Sequence, residues 1–291
     1  MAIIYINWGI SKALMEAEPQ IIHGQDGLKL HTHHWRHAKP AAICCIIPGF
    51  GEHGGRYAHV AAYLLRNSIA ALALDCRGHG KSDGLRGHAS SMEALVDDVE
   101  EFIKLARREY NDVPVFLFGH SMGGNIVLNY VLRKPVSELQ GFIASSPWLK
   151  LAFEPPGWKL KLGKVMAGII PRLRQPNGLD SSALSKDKSI VEAYDNDPLV
   201  NNLISARLFK VVTEGAEFIQ LNAPQIELPG LVYHGTQDRL IEYQATKDLA
   251  TRVDSVTWEA YEGVYHEPHN DLEHELVLDN LVKWITGRPK K

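Results

Sequence analysis

Short apolar runs alternate along the chain with longer stretches in which apolar residues recur at helical spacing. The short runs predict strands at 42–47, 69–74, 115–118, 139–144, 230–234 and 256–261. One longer stretch, 92–110, places Leu95, Val99, Phe102, Ile103 and Ala106 on one face of a helix. Strands that alternate with helices form a mostly parallel central sheet flanked by helices, so we expect an α/β fold.

Two regions depart from this alternation. Ile21 and the run at 28–35 predict an antiparallel hairpin at one edge of the sheet. Between about 146 and 225 the short runs stop, and Pro-Pro, Lys-rich and Leu/Ile-rich segments follow with no clear strand. We therefore predict a core in two parts, 1–145 and 226–291, with a helical cap inserted at 146–225.

The composition is that of an ordinary globular protein, with 45% hydrophobic and 22% charged residues. A net charge of -3 argues against a nucleic-acid partner, because such proteins usually present a basic face. The three cysteines argue against a disulfide scaffold, since Cys44 and Cys45 would point to opposite faces of a strand. Residues 1–8 lack the basic start of a signal peptide, and no apolar run is long enough to span a membrane. We expect a cytoplasmic protein.

The motif Gly-His-Ser-Met-Gly at 119–123 lies directly between a predicted strand and a predicted helix. This is the position of the Gly-x-Ser-x-Gly nucleophile elbow, in which a strained turn lifts the serine oxygen above the sheet. Glycines two residues on either side are needed because side chains there would clash with the neighbouring strand and helix. In this context the motif predicts that Ser121 is a nucleophile.

A serine hydroxyl is a poor nucleophile until a histidine takes its proton, and that histidine needs an acid to fix its tautomer. In this fold the chain order is serine, acid, histidine. Asp238 follows the strand at 230–234, and His266 follows the strand at 256–261. We predict that Ser121, Asp238 and His266 form a catalytic triad, with His269 as the nearby substitute for His266.

A tetrahedral intermediate also needs backbone donors that point at its oxyanion. One of them comes from the residue after the serine, here Met122. The other is expected in the loop after the strand at 42–47, where we predict the amide of Phe50. Gly49 and Gly51 would let a substrate approach that backbone closely.

Several further segments resemble the monoacylglycerol lipase and lysophospholipase branch of the α/β-hydrolases. They are Gly-Phe-Gly-Glu-His at 49–53 with Arg56 and Tyr57, Asp-Cys-Arg-Gly-His-Gly-Lys-Ser at 75–82, the elbow at 119–124, Asp-Pro-Leu at 197–199, Asp-Arg at 238–239 and the run 261–266. The resemblance spans most of the chain from Leu28 onward. It implies the α/β-hydrolase fold, a cap inserted after the strand that ends near Ser145, and an apolar acyl tunnel beneath the cap. The chain departs from the family at Pro48, where a histidine is usual.

The same resemblance implies a polar alcohol-binding end, for which the matching positions are Glu52, Arg56, Tyr194 and His269. It implies neither a cofactor nor a metal. The reaction it implies is hydrolysis of a single-chain lipid ester, foremost a monoacylglycerol, through an acyl-enzyme on Ser121. A lysophospholipid is the alternative substrate, followed by a general short-chain carboxylester.

Two other classes of function fit parts of the sequence. Gly49, Gly51 and Gly54 match a dinucleotide-binding fingerprint, and Asp75 lies 21 residues beyond Gly54. An NAD-dependent oxidoreductase would leave the elbow and the two loops at the carboxyl end of the sheet unexplained, so we favour the hydrolase. A receptor that keeps the fold without turnover is a third hypothesis, against which an intact triad argues.

Four histidines near the N-terminal hairpin are dense enough to suggest a metal site. They are His31, His33, His34 and His37, of which the first two would share one face of a strand. No carboxylate or cysteine partner is indicated nearby. We therefore interpret them as part of a solvated edge strand.

The first part of the predicted cap is unusually basic. Residues 149–174 contain six basic residues against Glu154 alone, and their apolar residues recur at helical spacing. We interpret this segment as a lid whose apolar face lines the acyl tunnel. It is also the candidate for peripheral membrane contact, on anionic lipid.

Overall fold

The computed structural model describes residues 16–153 and 168–288. Within these residues there are ten strands: β1 (Glu18–His23), β2 (Lys29–Trp35), β3 (Ala42–Ile47), β4 (Ile69–Leu74), β5 (Val115–His120), β6 (Gly141–Ser145), β7 (Arg174–Pro176), β8 (Leu203–Ser205), β9 (Gly230–Gly235) and β10 (Val256–Tyr261). Eight of them form one sheet in the order β1-β2-β4-β3-β5-β6-β9-β10, and β7 pairs with β8 separately.

The central sheet is parallel except at one end. All neighbours from β4 to β10 are parallel, whereas β1 and β2 form an antiparallel hairpin that joins the sheet through β4. Strands β3, β4, β5 and β6 are buried along their whole length, as expected of parallel strands covered on both faces. The predicted edge hairpin and the mostly parallel sheet are both confirmed.

Helices cover both faces of the sheet. The described residues include α1 (Ala58–Arg66), α2 (Met92–Glu109), α3 (Met122–Arg133), α4 (Lys188–Asp195), α5 (Ala206–Asn222), α6 (Tyr243–Ala250) and α7 (His274–Thr286). Apolar residues of α2, α3, α5 and α6 pack on one face, and those of α1 and α7 pack on the other. Cys45 belongs to the first of these cores and Cys44 to the second, so the adjacent cysteines do point to opposite faces.

The stretch 146–225 contains more than helices in its described part. Besides α4 and α5 it holds the short strands β7 and β8, where the sequence predicted no clear strand. Helix α5 lies along α3, and the side-chain amide of Asn125 on α3 donates to the carbonyl of Val212 on α5 at 3.1 Å. The cap boundaries stay a prediction, and most of the basic segment 149–174 lies outside the described residues.

Four loops converge at the carboxyl edge of the parallel sheet. They follow β3, β5, β9 and β10, and they carry the residues that the sequence singled out for chemistry. Parallel strands present their carboxyl ends at the same edge, which is where open α/β sheets bind their ligands. No helix within the described ranges is both long and apolar enough to cross a bilayer.

Candidate active site

Ser121 occupies a strained turn between β5 and α3. Its backbone has φ of 52° and ψ of −115°, a conformation that a residue with a side chain rarely adopts. A Cβ on Gly119 would lie 2.3 Å from the carbonyl oxygen of Gly123, and a Cβ on Gly123 would lie 2.0 Å from that of Ile47. Glycine is therefore required on both sides of Ser121, because the turn presses helix against strand.

The carboxylate of Asp238 lies in the loop after β9. It is fully buried, as are the groups that donate hydrogen bonds to it. Its Oδ2 accepts a hydrogen bond from Nδ1 of His266 at 2.6 Å. Its Oδ1 accepts from the amides of Leu240 and Ile241 at 2.8 and 3.0 Å. Burial opposes ionisation, but the charge of His266 and the hydrogen bonds prevail and hold the pKa of Asp238 well below its ordinary value. The carboxylate is thus ionised at neutral pH.

His266 lies in the loop after β10 and is also buried. Burial disfavours its charged form, but the negative charge of Asp238 prevails and raises the pKa of His266 above its ordinary value. With Nδ1 committed to Asp238, Nε2 makes no hydrogen bond to any other described residue. That nitrogen remains free for proton exchange in the cavity that His266 shares with Ser121.

The loop after β3 turns beside Ser121. Gly51 has φ of 81°, and the carboxylate of Glu52 accepts a hydrogen bond from the amide of Gly49 at 2.5 Å and another from the hydroxyl of Tyr57 at 2.8 Å. Within the described part of the chain, the amides of Phe50 and Met122 donate no hydrogen bond to protein. Two unpaired backbone donors near a candidate nucleophile are what an oxyanion requires.

Two carboxylates share one buried guanidinium beside the cavity. Arg56 donates two hydrogen bonds of 2.9 Å to Glu267, and it also bonds Glu52. Burial alone would raise the pKa of Glu267, but the positive charge and hydrogen bonds of Arg56 hold it well below its ordinary value. The guanidinium also lies 4.8 Å from the ring centroid of Tyr194, which α4 supplies from the cap.

The four residues predicted for the alcohol-binding end do not all reach the cavity. Glu52 and Tyr194 line it, whereas Arg56 lies behind Glu52 and Glu267. His269 is completely buried, stacked on Tyr57 with ring centroids 5.0 Å apart, and neither ring nitrogen has a hydrogen-bond partner among the described residues. Burial lowers the pKa of His269 to about 3, so its imidazole is neutral.

The cavity has an apolar wall and a polar end. Its described lining is Gly49, Phe50, Glu52, His120, Ser121, Trp148, Leu151, Leu179, Leu184, Tyr194, Leu240, Ile241, His266 and Glu267. The apolar members come from the stretch after β6, from the loop after β9 and, in the case of Phe50, from the loop after β3. Such a lining suits a ligand with one hydrocarbon part and one polar part.

Three residues of this site were not singled out from the sequence. Glu267 pairs with Arg56, His120 has its ring centroid 4.8 Å from that of His266, and His234 places Nε2 2.8 Å from Asp238. The only local signal was a polar residue at the end of a buried strand, which His234 and His120 share. Glu267 carried no signal, because its partner lies 211 residues away.

The interpretation of His31 and His33 as part of a solvated edge strand is wrong. Both are buried, and they lie on β2, which is an inner strand because β1 covers its outer side. Nε2 of His33 lies 2.9 Å and Nδ1 of His31 lies 3.6 Å from the carboxylate of Asp75. A carboxylate partner is therefore present, and the polar atoms of the three side chains lie within 4.8 Å of one another.

Asp75 is committed to structure rather than to a ribose. Its oxygens accept hydrogen bonds from the amides of Gly54 and Lys81, both at 2.8 Å, in addition to the contact with His33. The side chain has no exposed surface. The acidic residue that a dinucleotide fingerprint needs is thus unavailable to a ligand, which removes the main support for the oxidoreductase hypothesis.

Comparison with known proteins agrees with this geometry. A family of hydrolases described as serine aminopeptidase, S33, matches residues 38–273. The chain belongs to this family. An abhydrolase domain-containing protein of Dictyostelium discoideum is 36% identical over 86% of this chain, which spans only 27% of that protein's length.

Two other relatives match over nearly their whole length. A monoacylglycerol lipase of Mycolicibacterium smegmatis is 33% identical over 85% of this chain and 89% of its own. The crystal structure of the Paleococcus ferrophilus monoacylglycerol lipase superposes with a TM-score of 0.81 at 32% identity, over 90% of this chain and 99% of that one. The predicted α/β-hydrolase fold and the resemblance to the monoacylglycerol lipase branch are confirmed.

Proposed function

We propose that the protein is a serine hydrolase in which Ser121 is the nucleophile, His266 the base and Asp238 the acid that orients it. The observation that carries this proposal is the strained turn at Ser121, which faces one cavity with a histidine already bonded to a buried carboxylate. His266 takes the proton of Ser121 as the serine attacks the ester carbonyl, and returns it to the leaving alcohol. Water then attacks the acyl-enzyme and releases the carboxylic acid product, with His266 taking a proton from the water and returning it to Ser121.

The negative charge that develops on the carbonyl oxygen needs donors fixed in advance. We assign this role to the amides of Phe50 and Met122, which donate to no other group among the described residues. Glu52 helps to hold the Phe50 amide in place, because its carboxylate accepts a hydrogen bond from Gly49 and fixes the turn that carries Phe50. Loss of one such donor typically costs about a hundredfold or more in turnover.

The substrate that we propose is a monoacylglycerol. The apolar wall of the cavity suits one acyl chain, and Glu52, Tyr194 and Glu267 offer donors and acceptors to the hydroxyls of glycerol. Arg56 acts through Glu52 and Glu267, with which it pairs, and neither Arg56 nor His269 lines the cavity. Two relatives named as monoacylglycerol lipases match the chain over 89% and 99% of their own length, which supports the choice.

An active-site label tests the mechanism independently of the substrate. A fluorophosphonate should label the wild type and should not label Ser121→Ala, whose ester turnover should fall by about three orders of magnitude or more. Ser146→Ala is a matched control, because Ser146 is also buried with positive φ and its hydroxyl has no hydrogen-bond partner within the described ranges. Retention of more than about a tenth of the activity in Ser121→Ala would exclude the mechanism.

Head-group choice is tested with substrates of one acyl length. We expect monoacylglycerol to be cleaved faster than lysophosphatidylcholine, because a site built to bond hydroxyls leaves its own polar groups unpaired when they are missing. A p-nitrophenyl ester provides the reference for chemistry without a head group. A preference for lysophosphatidylcholine would instead make the protein a lysophospholipase, and equal rates on all three would indicate a general carboxylesterase.

We also propose that one exposed surface of the cap contacts a membrane. Ile169, Ile170 and Leu173 are exposed, the first of them at 72%, and Arg172 and Arg174 lie beside them on the surface. Apolar residues flanked by basic ones suit the surface of an anionic bilayer. Co-sedimentation with anionic vesicles should exceed that with neutral vesicles and should weaken in Ile169→Ser/Ile170→Ser. Equal sedimentation of the two proteins would refute the contact. A cytoplasmic location stays a prediction.

A further inference from the structure

The carboxylate of Asp238 has a second histidine partner. Its Oδ2 accepts from Nδ1 of His266 at 2.6 Å and lies 2.8 Å from Nε2 of His234, which stands on β9. His234 has no exposed surface. Since Oδ1 is occupied by the amides of Leu240 and Ile241, every contact of this carboxylate comes from a donor inside the protein.

The hydrogen-bond network fixes the tautomer of His234. An ionised carboxylate can only accept, so Nε2 of His234 must carry the proton that it donates to Asp238. The other nitrogen, Nδ1, lies 2.9 Å from Oγ1 of Thr246 on α6, and that hydroxyl can donate to it. A neutral His234 satisfies both neighbours, so the order of donation runs from Thr246 through His234 to Asp238.

We propose that His234 is a positioning residue of the triad, which orients the carboxylate of Asp238 toward His266 and takes a share of its negative charge. The inference rests on the proposed function, because it places His234 in the same site. Two donors on one oxygen compete for its charge, so His266 feels less of that charge than it would alone. His234 therefore limits how strongly His266 holds a proton.

Other charged and titratable groups face His266 from each neighbouring element. They are Asp238 and His234 from β9 and its loop, His120 from β5, Glu267 and His269 from the loop that carries His266, and Glu52 from the turn after β3. Glu52 and Glu267 are both paired with Arg56. Replacement of His234 changes how much of the charge of Asp238 acts on His266, and it leaves the cluster of Arg56, Glu52 and Glu267 in place. The pH profile is therefore a specific readout.

The test compares His234→Leu with His234→Gln. Leucine removes the donor, so kcat on a p-nitrophenyl ester should fall about tenfold to a hundredfold with little change in KM. The acid limb of the rate should also move up by about one pH unit, because the whole charge of Asp238 then favours the protonated form of His266. Glutamine, whose Nε2 can donate from a similar position, should restore both kcat and the limb.

A matched control separates positioning from packing. His34→Leu makes the same replacement at another buried strand histidine, which bonds Tyr110 at 3.0 Å and lies on β2. It should lower stability and leave the pH profile unchanged. If His234→Leu, like His34→Leu, leaves the pH profile of the rate unchanged, or if His234→Gln fails to restore the acid limb of that profile, the proposal is overturned. Should the leucine variant not fold, His234→Asn serves instead, because its shorter amide can bond Thr246 without reaching Asp238.

Failure of this inference differs from failure of the proposed function. The rate of fluorophosphonate labelling depends on His266 as base, so it should follow the same shifted pH profile in His234→Leu without any assumption about substrate. A wild type that neither turns over esters nor takes the label would refute the proposed function. A wild type that does both, with an unshifted labelling profile in His234→Leu, would refute only the role of His234.

Discussion

The acid–base behaviour of His266 is decided by Asp238. The proposed mechanism needs a neutral His266 to accept the serine proton, and the raised pKa of His266 means that it becomes protonated at a higher pH than free imidazole. Activity should therefore fall as pH drops, with the midpoint above about 6.5. Asp238→Asn removes the charge that raises this pKa, so the midpoint should move to lower pH while turnover falls by about four orders of magnitude.

Rates of a p-nitrophenyl ester measured from pH 4 to pH 9 check this expectation. His37→Asn is a suitable control, because His37 lies outside the site. A rate that stays flat down to about pH 4 would exclude histidine as the base, provided that a single-turnover measurement shows chemistry to be the limiting step.

His269 lies behind the site rather than in it. Neither ring nitrogen has a partner among the described residues, and the ring stacks on Tyr57, whose hydroxyl donates a hydrogen bond to Glu52 in the cavity wall. We expect His269→Ala to erode the preference for monoacylglycerol over lysophosphatidylcholine more than it lowers p-nitrophenyl ester turnover. Values of kcat/KM for the three substrates decide this. An equal loss on all three would place His269 in the catalytic machinery.

The turn between β5 and α3 is packed so tightly that it leaves no room for an added side chain. A Cβ on Gly123 would meet the carbonyl oxygens of Ile47 and Pro48 at 2.0 and 2.5 Å, and both belong to backbone that cannot move aside. We expect Gly123→Ala to lower the free energy of unfolding by more than the 1–3 kcal/mol or so typical of overpacking. Gly168→Ala is the control, since a Cβ there would meet no described residue within 4 Å. Equal urea midpoints for the two variants would contradict the steric argument.

Elements with strong periodicity were predictable, and short ones were not. The helix predicted at 92–110 corresponds to α2, where one apolar face packs on the sheet and Ser91 caps the first turn. By contrast, β7 and β8 have three residues each, and β7 is exposed throughout. Their pairing depends on contacts across a separation of about thirty residues in the chain, for which a local apolar pattern carries no information.

The whole molecule should lose stability in mild acid. Burial lowers the pKa of four histidines to about 4, namely His31, His34, His59 and His79. In the unfolded chain these groups bind protons below about pH 6.5. Between pH 6.5 and 4 the unfolded state therefore holds more protons, so the free energy of unfolding falls as pH drops through this window. His266, with a raised pKa, acts in the opposite direction.

Urea unfolding at pH 7.5 and pH 4.5 checks this prediction. The midpoint should be lower at pH 4.5, while an unchanged slope would show that the same surface is exposed at both pH values. A midpoint that is equal at the two pH values would mean that these histidines are not kept neutral by the fold.

The sequence by itself determined the alternation of strands and helices and the sharp turn at Ser121, and it predicted the chain order of serine, acid and histidine. These features are local, because periodicity, glycine spacing and loop position are written within a few residues. Only the tertiary structure decided the partners of buried polar groups: Glu267 for Arg56, Asp75 for His33 and His234 for Asp238. A buried charge or imidazole must find its partner wherever the fold brings one, and no local pattern records which residue that is.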